Sequence, residues 1–340
     1  METVSLGQTG LQVSRLALGG LFTSSLGGGV QSTVEILNRA GELGITLIDT
    51  APAYADSEEV LGCALQQVSF PFQITTKLGG RPQPFDPQQE SALLRSFETS
   101  LKLLGRERVE GLLVHEPDRP LQYPWWTQYE PLDGPALRLI EKLKADGRIT
   151  YGGLAGTTTS ELAGLIRSDR FDVVLTAFNY NVLFREAADE VLPEAKARGM
   201  GVIAGSIYGQ GFLGRRFDDA VRQRPLWMSA SRQQQLLALY DLLDQSGLSL
   251  PELCMRFALQ QSSLDTILIG CKTVQHLEAS VQFYEAGQLP SDVTQRLDEI
   301  AGMVRGRPFE EPMILPLGKE YYGPGLANLG AGIPIGKTET

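Results

Sequence analysis

The sequence predicts an α/β protein: a closed (β/α)8 barrel with an N-terminal β-hairpin and a long C-terminal tail. Three observations lead there. Apolar runs of about four to six residues show little polar alternation, as strands buried on both faces do. These runs alternate with longer amphipathic runs about eight times, a repeat that suits a closed parallel barrel better than an open sheet. The length, 340 residues, fits one such barrel domain without a second domain, since α/β barrels commonly exceed 200 residues as one unit.

The opening segment VSLGQTGLQVSR has a turn at Gly7–Gly10 between two β-prone arms, and reads as a hairpin over residues 1–14. Arg15–Leu18 is the first barrel strand, and Ser32–Leu43, stopped by Gly44, the first helix. Strand and helix then alternate: Ile45–Ile48 and Ser57–Gln67, Phe72–Thr76 and a helix within Pro87–Leu104, Val109–Val114 and Gly134–Ala145. Ile149–Leu154 and Thr159–Arg167 follow, then Phe171–Thr176 and Ala187–Arg198, then Gly201–Ala204 with helices Gln233–Gln245 and Leu250–Gln260. Thr266–Ile269 is the last strand and Val274–Phe283 the last wrapping helix. Caps support the boundaries. Ser57 precedes Glu58 and Glu59, acids that suit a helix N-terminus, and Pro251 stands just inside a helix started by Ser249.

Two segments stand apart. Residues 117–131, with Tyr123, Trp125, Trp126 and Tyr129, form a Pro-rich aromatic insertion after the fourth strand, on the face where a barrel builds its active site. The tail from Gly306 to Thr340 is rich in Gly and Pro, and neither segment favours regular structure. Aromatic faces at Tyr123, Trp125 and Trp126 suit a ring-bearing or sugar substrate.

Composition narrows the function. The formal net charge of −10 and the scattered basic residues argue against nucleic acid and anionic membranes as partners. The densest basic group, Arg215, Arg216, Arg222 and Arg224, reads as a solvated surface. No apolar run approaches the roughly 20 residues needed to span a bilayer. The N-terminus lacks the pattern of a secretion signal. Three widely spaced cysteines, Cys63, Cys254 and Cys271, give neither a disulfide framework nor a metal site, which fits a cytoplasmic location.

Four residues lie at or just past successive strand ends: Asp49, Tyr54, Lys77 and His115. Side chains at that end project into the barrel mouth and can converge. Taken singly, each has an ordinary reading as a turn former, a packing group, a solvated cation or a structural imidazole. Taken together they make a proton-transfer set. An ammonium beside a phenol favours phenolate and lowers its pKa, a carboxylate holds the ammonium, and an imidazole orients a carbonyl. That is what carbonyl reduction needs while a cofactor delivers hydride to carbon.

Set in LIDTAPAY, ITTKLG and LLVHEPD, this quartet resembles the aldo-keto reductase superfamily, as do the opening hairpin, KADGRITYGGLA and ILIGCKTVQHLE, over about residues 3–285. The stretch from Val182 to Leu213 is most similar to its aldose-oxidising branch, of the galactose and threo-aldose dehydrogenase type. The resemblance implies Tyr54 as proton donor or acceptor, Lys77 paired to Asp49 as its tuner, and His115 as the carbonyl-positioning group. It implies NADP(H), with NAD(H) as the alternative, and a small carbonyl or sugar substrate. The adenosine phosphate end would meet Gly270, Lys272, Thr273 and His276 at a helix start, where phosphate is favoured. Thr157, Asn179 and Ser206 are the corresponding candidates toward the nicotinamide.

The chain departs from the family pattern there. Ala155–Gly156 replace a Ser-Asn pair, Ala177 a glutamine, Gly205 a stacking tyrosine and His276 a phosphate-binding arginine. Those departures motivate an alternative, a non-metabolic regulatory or interaction subunit that keeps the barrel and nucleotide. A lyase or isomerase using the same tyrosine is a third reading. The absence of a G-x-G-x-x-G after a first strand speaks against a Rossmann dehydrogenase.

Overall fold

The computed structural model describes residues 1–81, 83, 85–306 and 311–319. In chain order its strands and helices begin with β1 (Thr3–Ser5), β2 (Gln12–Ser14), β3 (Leu16–Gly19) and α1 (Gly29–Glu42). They continue with β4 (Leu47–Asp49), α2 (Ser57–Leu65), β5 (Gln73–Leu78), α3 (Glu90–Leu104) and β6 (Gly111–His115). Next come β7 (Gln128–Tyr129), β8 (Leu132–Asp133), α4 (Pro135–Ala145), β9 (Tyr151–Gly156), α5 (Thr159–Ile166) and β10 (Val173–Ala177). Then follow α6 (Glu186–Asp189), α7 (Val191–Ala197), β11 (Gly201–Gly205), α8 (Asp218–Gln223), α9 (Ala230–Ser246) and α10 (Leu250–Leu259). The series ends with β12 (Thr266–Ile269), α11 (Val274–Glu285) and α12 (Ser291–Gly302).

The chain divides into two compact units. Among the described residues, the first holds those of 1–179, 186–205 and 262–282, and the second 180–185, 206–261, 283–306 and 311–319. In the first, eight parallel strands close in the order β3-β4-β5-β6-β9-β10-β11-β12 and back to β3. The predicted (β/α)8 barrel is therefore present, and so is the N-terminal hairpin, as the antiparallel pair β1–β2.

Side chains of period two fill the barrel. Ala17, Leu47, Leu113, Tyr151, Ala155, Val173, Leu175 and Ile203 form its inner cluster, together with Leu6 and Val13 from the hairpin. Large and small residues interdigitate: the Tyr151 ring occupies the place that a side chain at Gly111 would take. The hairpin closes the N-terminal end. Gly7, at φ 49°, lets the turn approach the chain at Gly201, where a Cβ would stand 2.2 Å from a backbone nitrogen.

The differences from the sequence reading have physical causes. The expected strands stop at Ile48, Thr76, Val114 and Leu154, whereas β4, β5, β6 and β9 run on through Asp49, Lys77–Leu78, His115 and Gly156. Polar residues that face the mouth still belong to the ladder, and hydropathy misses them. The helix expected at Ala187–Arg198 is split into α6 and α7, because Pro193 has no N–H to donate to the carbonyl four residues back in a continuous helix. The insertion contains a short ribbon, β7–β8, and α8 and α12 were not anticipated. Ser57 lies inside α2 and gives its hydroxyl to the Gly20 carbonyl (2.7 Å) instead of capping the helix.

In the second unit the basic loop is knitted to acids: Arg216 meets Asp218 and Asp244, and Arg222 lies near Asp218. From the tail, 311–319 are described, with Ile314, Leu315 and Leu317 buried; its remaining residues beyond 319 lie outside the described ones. No helix among the described residues is long and apolar enough to cross a membrane. Of the three cysteines, Cys63 on α2 is exposed and Cys254 and Cys271 are buried.

Candidate active site

Strand register brings the quartet to one place. Asp49 faces Thr75 across β4–β5, Lys77 faces Leu113 across β5–β6, and His115 faces Ala155 across β6–β9. Each shares the parity of an inner-cluster residue two positions earlier on its own strand: Leu47 for Asp49 and Leu113 for His115. Lys77 has the same relation to Thr75, whose hydroxyl meets the phenol of inward-facing Tyr151. The side chains therefore point into the barrel at its C-terminal mouth.

Lys77 and Asp49 are both 1% exposed, with Nζ 2.6 Å from Asp49 Oδ2. Nζ also donates to the Thr50 carbonyl at 2.8 Å. Burial works against the Lys77 ammonium, but the Asp49 carboxylate and the Tyr54 phenol more than offset it, and its pKa is raised. Its Nζ stands 4.7 Å from the centre of the Tyr54 ring. The Tyr54 ring meets His115 edge-on, with centroids 5.7 Å apart.

Tyr54 is held by its loop. Its N–H donates to the Ala51 carbonyl (3.1 Å), and its own carbonyl accepts from the Ser57 N–H (2.9 Å). Beneath it, the buried Ser57 hydroxyl is bonded to Gly20 O (2.7 Å), Thr50 Oγ1 (2.8 Å) and Thr23 Oγ1 (3.1 Å). Glu58, read from the sequence only as a dipole acid, is 1% exposed; it accepts from Thr76 and pairs with Arg81.

Electrostatics correct one expectation. Lys77 pulls the Tyr54 phenol down as foreseen, but burial pushes it up by more, so the phenol is raised and stays protonated at neutral pH. His115 is lowered to about 3, by burial first and then by Lys77 and Arg119, and is a neutral imidazole.

The aromatic candidates separate. Trp125 is 1% exposed, and a Cβ on Gly79 would lie 3.3 Å from its ring and 3.5 Å from the His115 Cβ, so it borders the quartet. Tyr123 packs edge-on against Trp125 and Phe85. Trp126 instead packs on Phe171, which precedes β10 at the opposite end of the barrel. It anchors the insertion rather than facing the mouth, because a long loop needs an apolar foothold on the barrel wall.

The cofactor candidates fall into two groups. Gly270, Lys272, Thr273 and His276 are exposed around the start of α11, with Lys272 Nζ 4.6 Å from the Phe22 ring centre and Gly270 against the same ring. An open helix start with an exposed cation suits a phosphate. Toward the nicotinamide, Asn179 Nδ2 is committed to the Thr157 carbonyl (2.8 Å), and Ala155 and Ala177 add no polar side chain. Ser206, in the second unit, has φ 57°. Residues that the sequence reading passed over surround Thr157: Glu116, Asp118 and Arg119. Only the HEPD run itself, charged immediately after a strand end, signalled them.

Comparison with known proteins identifies the family. The model of the aldo/keto reductase family matches residues 17–302. The chain is 26% identical over 330 residues to pyridoxal 4-dehydrogenase from Microbacterium luteolum, covering 84% of this chain and 93% of that one. It is 26% identical to Arabidopsis thaliana L-galactose dehydrogenase (83% and 87% covered) and 24% identical to a Pseudomonas sp D-threo-aldose 1-dehydrogenase (78% and 86%). With the barrel, the mouth and the family match in agreement, the chain belongs to the aldo/keto reductase family and is an oxidoreductase.

Proposed function

We infer that the protein interconverts an aldehyde, ketone or aldose with the corresponding alcohol, using NADP(H) or NAD(H). The observation that carries the reading is the Asp49–Lys77–Tyr54–His115 cluster at the barrel mouth, with Nζ 2.6 Å from Asp49 and 4.7 Å from the Tyr54 ring centre. The bound dinucleotide supplies hydride to the carbonyl carbon. Tyr54, protonated because burial outweighs Lys77, donates its proton to the carbonyl oxygen. Lys77 stabilises the phenolate left behind, and Asp49 with the Thr50 carbonyl keeps the ammonium in place. His115, neutral, donates a hydrogen bond to the same oxygen. In the oxidative direction the same groups act in reverse. Lys272 at the start of α11 supports NADP(H) over NAD(H), through the extra phosphate.

Fluorescence titration with NADPH and NADH, read through Trp125 near His115, reports cofactor binding. A panel of aldehydes, ketones and aldoses followed at the reduced-nicotinamide band reports turnover. Tyr54→Phe is expected to lower kcat by about 10²–10⁴-fold, with cofactor binding and fold unchanged. Cofactor binding without turnover on the whole panel, and no difference in Tyr54→Phe, would favour the regulatory-subunit reading.

A further inference from the structure

The residue after His115 breaks the strand's geometry. Glu116 is not glycine, yet it adopts φ 54°, a conformation that costs about 1–3 kcal/mol unless its surroundings enforce it. Here they do. The Glu116 N–H donates to the Ala155 carbonyl at 2.8 Å, and Ala155 is the residue opposite His115. The carbonyl of Glu116 accepts from the Arg119 N–H (3.2 Å), closing a tight turn. The left-handed turn lifts the carboxylate out of the alternation that a continued strand would give it.

One carboxylate oxygen is fixed. Glu116 Oε2 lies 2.9 Å from Arg119 Nε and accepts from Thr157 Oγ1 at 3.3 Å. Arg119 Nη2 in turn holds Thr157 Oγ1 at 2.8 Å. The other oxygen, Oε1, has no partner among the described residues, and the side chain is 19% exposed. A braced carboxylate, with one oxygen unpaired among the described residues, therefore stands directly after the His115 imidazole at the end of β6, on the mouth side of the barrel.

We propose that Glu116, clamped by Arg119 and Thr157, is a specificity-determining residue whose free oxygen accepts a hydrogen bond from a hydroxyl next to the reacting carbonyl. It selects hydroxy-aldehydes and sugars over plain aldehydes. The assignment rests on the carbonyl-reductase reading above. A site built to bond a substrate hydroxyl discriminates strongly against the analogue that lacks it, because the acceptor, closed off from water by the bound substrate, is then left unpaired. Once Glu116 is ionised, its negative charge disfavours substrates that carry a carboxylate.

The test compares glyceraldehyde with propanal, which share a three-carbon frame and differ in the hydroxyls. In the wild type kcat/KM favours glyceraldehyde. Glu116→Met, with no acceptor, is expected to lose about tenfold or more of that preference, leaving propanal within about twofold. Glu116→Gln, which keeps an acceptor but not the charge, falls between. A second readout separates this from a structural role. The group facing other charges on Lys77, Asp118 and Arg119, with neutral Tyr54 and His115 nearby, ionises around 7. The wild-type glyceraldehyde-to-propanal ratio therefore rises with pH through about 7, and is flat in both variants; ionisation of Tyr54 affects both aldehydes and cancels in the ratio. An unchanged ratio in Glu116→Met, with turnover intact, would overturn the assignment while leaving the proposed function standing. Equal losses on both aldehydes with weakened NADPH titration would overturn it too, placing Glu116 against the cofactor. Absence of turnover on both aldehydes and the wider panel would overturn the function and this assignment together.

Discussion

His115 and Glu116 are neighbours in sequence whose burial shifts them in opposite directions, one toward losing a proton and the other toward keeping it. His115 titrates near 3 in the fold, against about 6.5 when unfolded, so between those values the unfolded chain binds more protons and stability rises with pH. Glu116 titrates near 7 in the fold, against an ordinary value of 4.5, so between those values the folded chain binds more protons and stability falls as pH rises. From about pH 4.5 to 6.5 the two slopes oppose each other. Denaturant melts across pH 4–7 are expected to separate them: His115→Asn leaves stability falling with pH, and Glu116→Gln leaves it rising. Parallel profiles in the two variants would contradict these assignments. At this scale the sequence was informative where chemistry demanded particular residue types. Asp49, Tyr54, Lys77 and His115 could be picked out because no structural role explains all four at consecutive strand ends. Glu116 could not, because its importance comes from a backbone angle and from Arg119 and Thr157, which the sequence does not place beside it.

Among the elements, the loop between β4 and α2 carries the phenol, and Ser57 is its keystone. One hydroxyl meets the Gly20 carbonyl and the hydroxyls of Thr50 and Thr23, tying the loop to the chain after β3 and to the end of β4. Ser57→Ala leaves the buried Thr50 hydroxyl without its Ser57 partner and is expected to cost about 1–3 kcal/mol of stability. Because Tyr54 hangs from the same turn, kcat should fall while cofactor affinity, measured by fluorescence titration, holds. Element types were legible because short apolar runs and longer amphipathic runs alternate cleanly. Strand ends were not, since the mouth-facing polar residues Asp49, Lys77 and His115 look like loop residues to a hydropathy argument. The split of α6 from α7 was written in Pro193, but a single proline inside an amphipathic run does not say on which side the break falls.

At the scale of the molecule, the two units rely on different devices. The first is a barrel whose wall is one continuous ladder. Its core is graded from the hairpin's Leu6 and Val13 at the base to an ion pair at the mouth. The second is pinned by Arg232, fully buried, whose guanidinium meets both oxygens of Glu311 at 2.8 Å. Its Cζ also lies 4.7 Å from the Phe184 ring centre. Gln235 extends the network to the Ile300 carbonyl at 2.8 Å. Arg232→Leu strands a buried carboxylate and is expected to cost about 3–5 kcal/mol, and adding Glu311→Leu should recover much of it. Thermal melts of the single and double variants check this; a double variant no more stable than the single would refute it. None of this pairing was visible beforehand, because Arg232 and Glu311 are separated by 79 positions and each looks like an ordinary surface charge.

The contrast among the three cysteines gives the protein a built-in handle. Burial pushes the Cys271 thiol up to about 12 and raises Cys254 as well, so neither yields thiolate at neutral pH, whereas Cys63 stands exposed on α2. A maleimide dye added to the native enzyme should therefore attach at one position without any engineering. That position is six residues along the helix from Ser57, about 9 Å from the end of the loop that carries Tyr54. The attached fluorophore becomes a local reporter of that loop, able to register its motion as cofactor and substrate arrive.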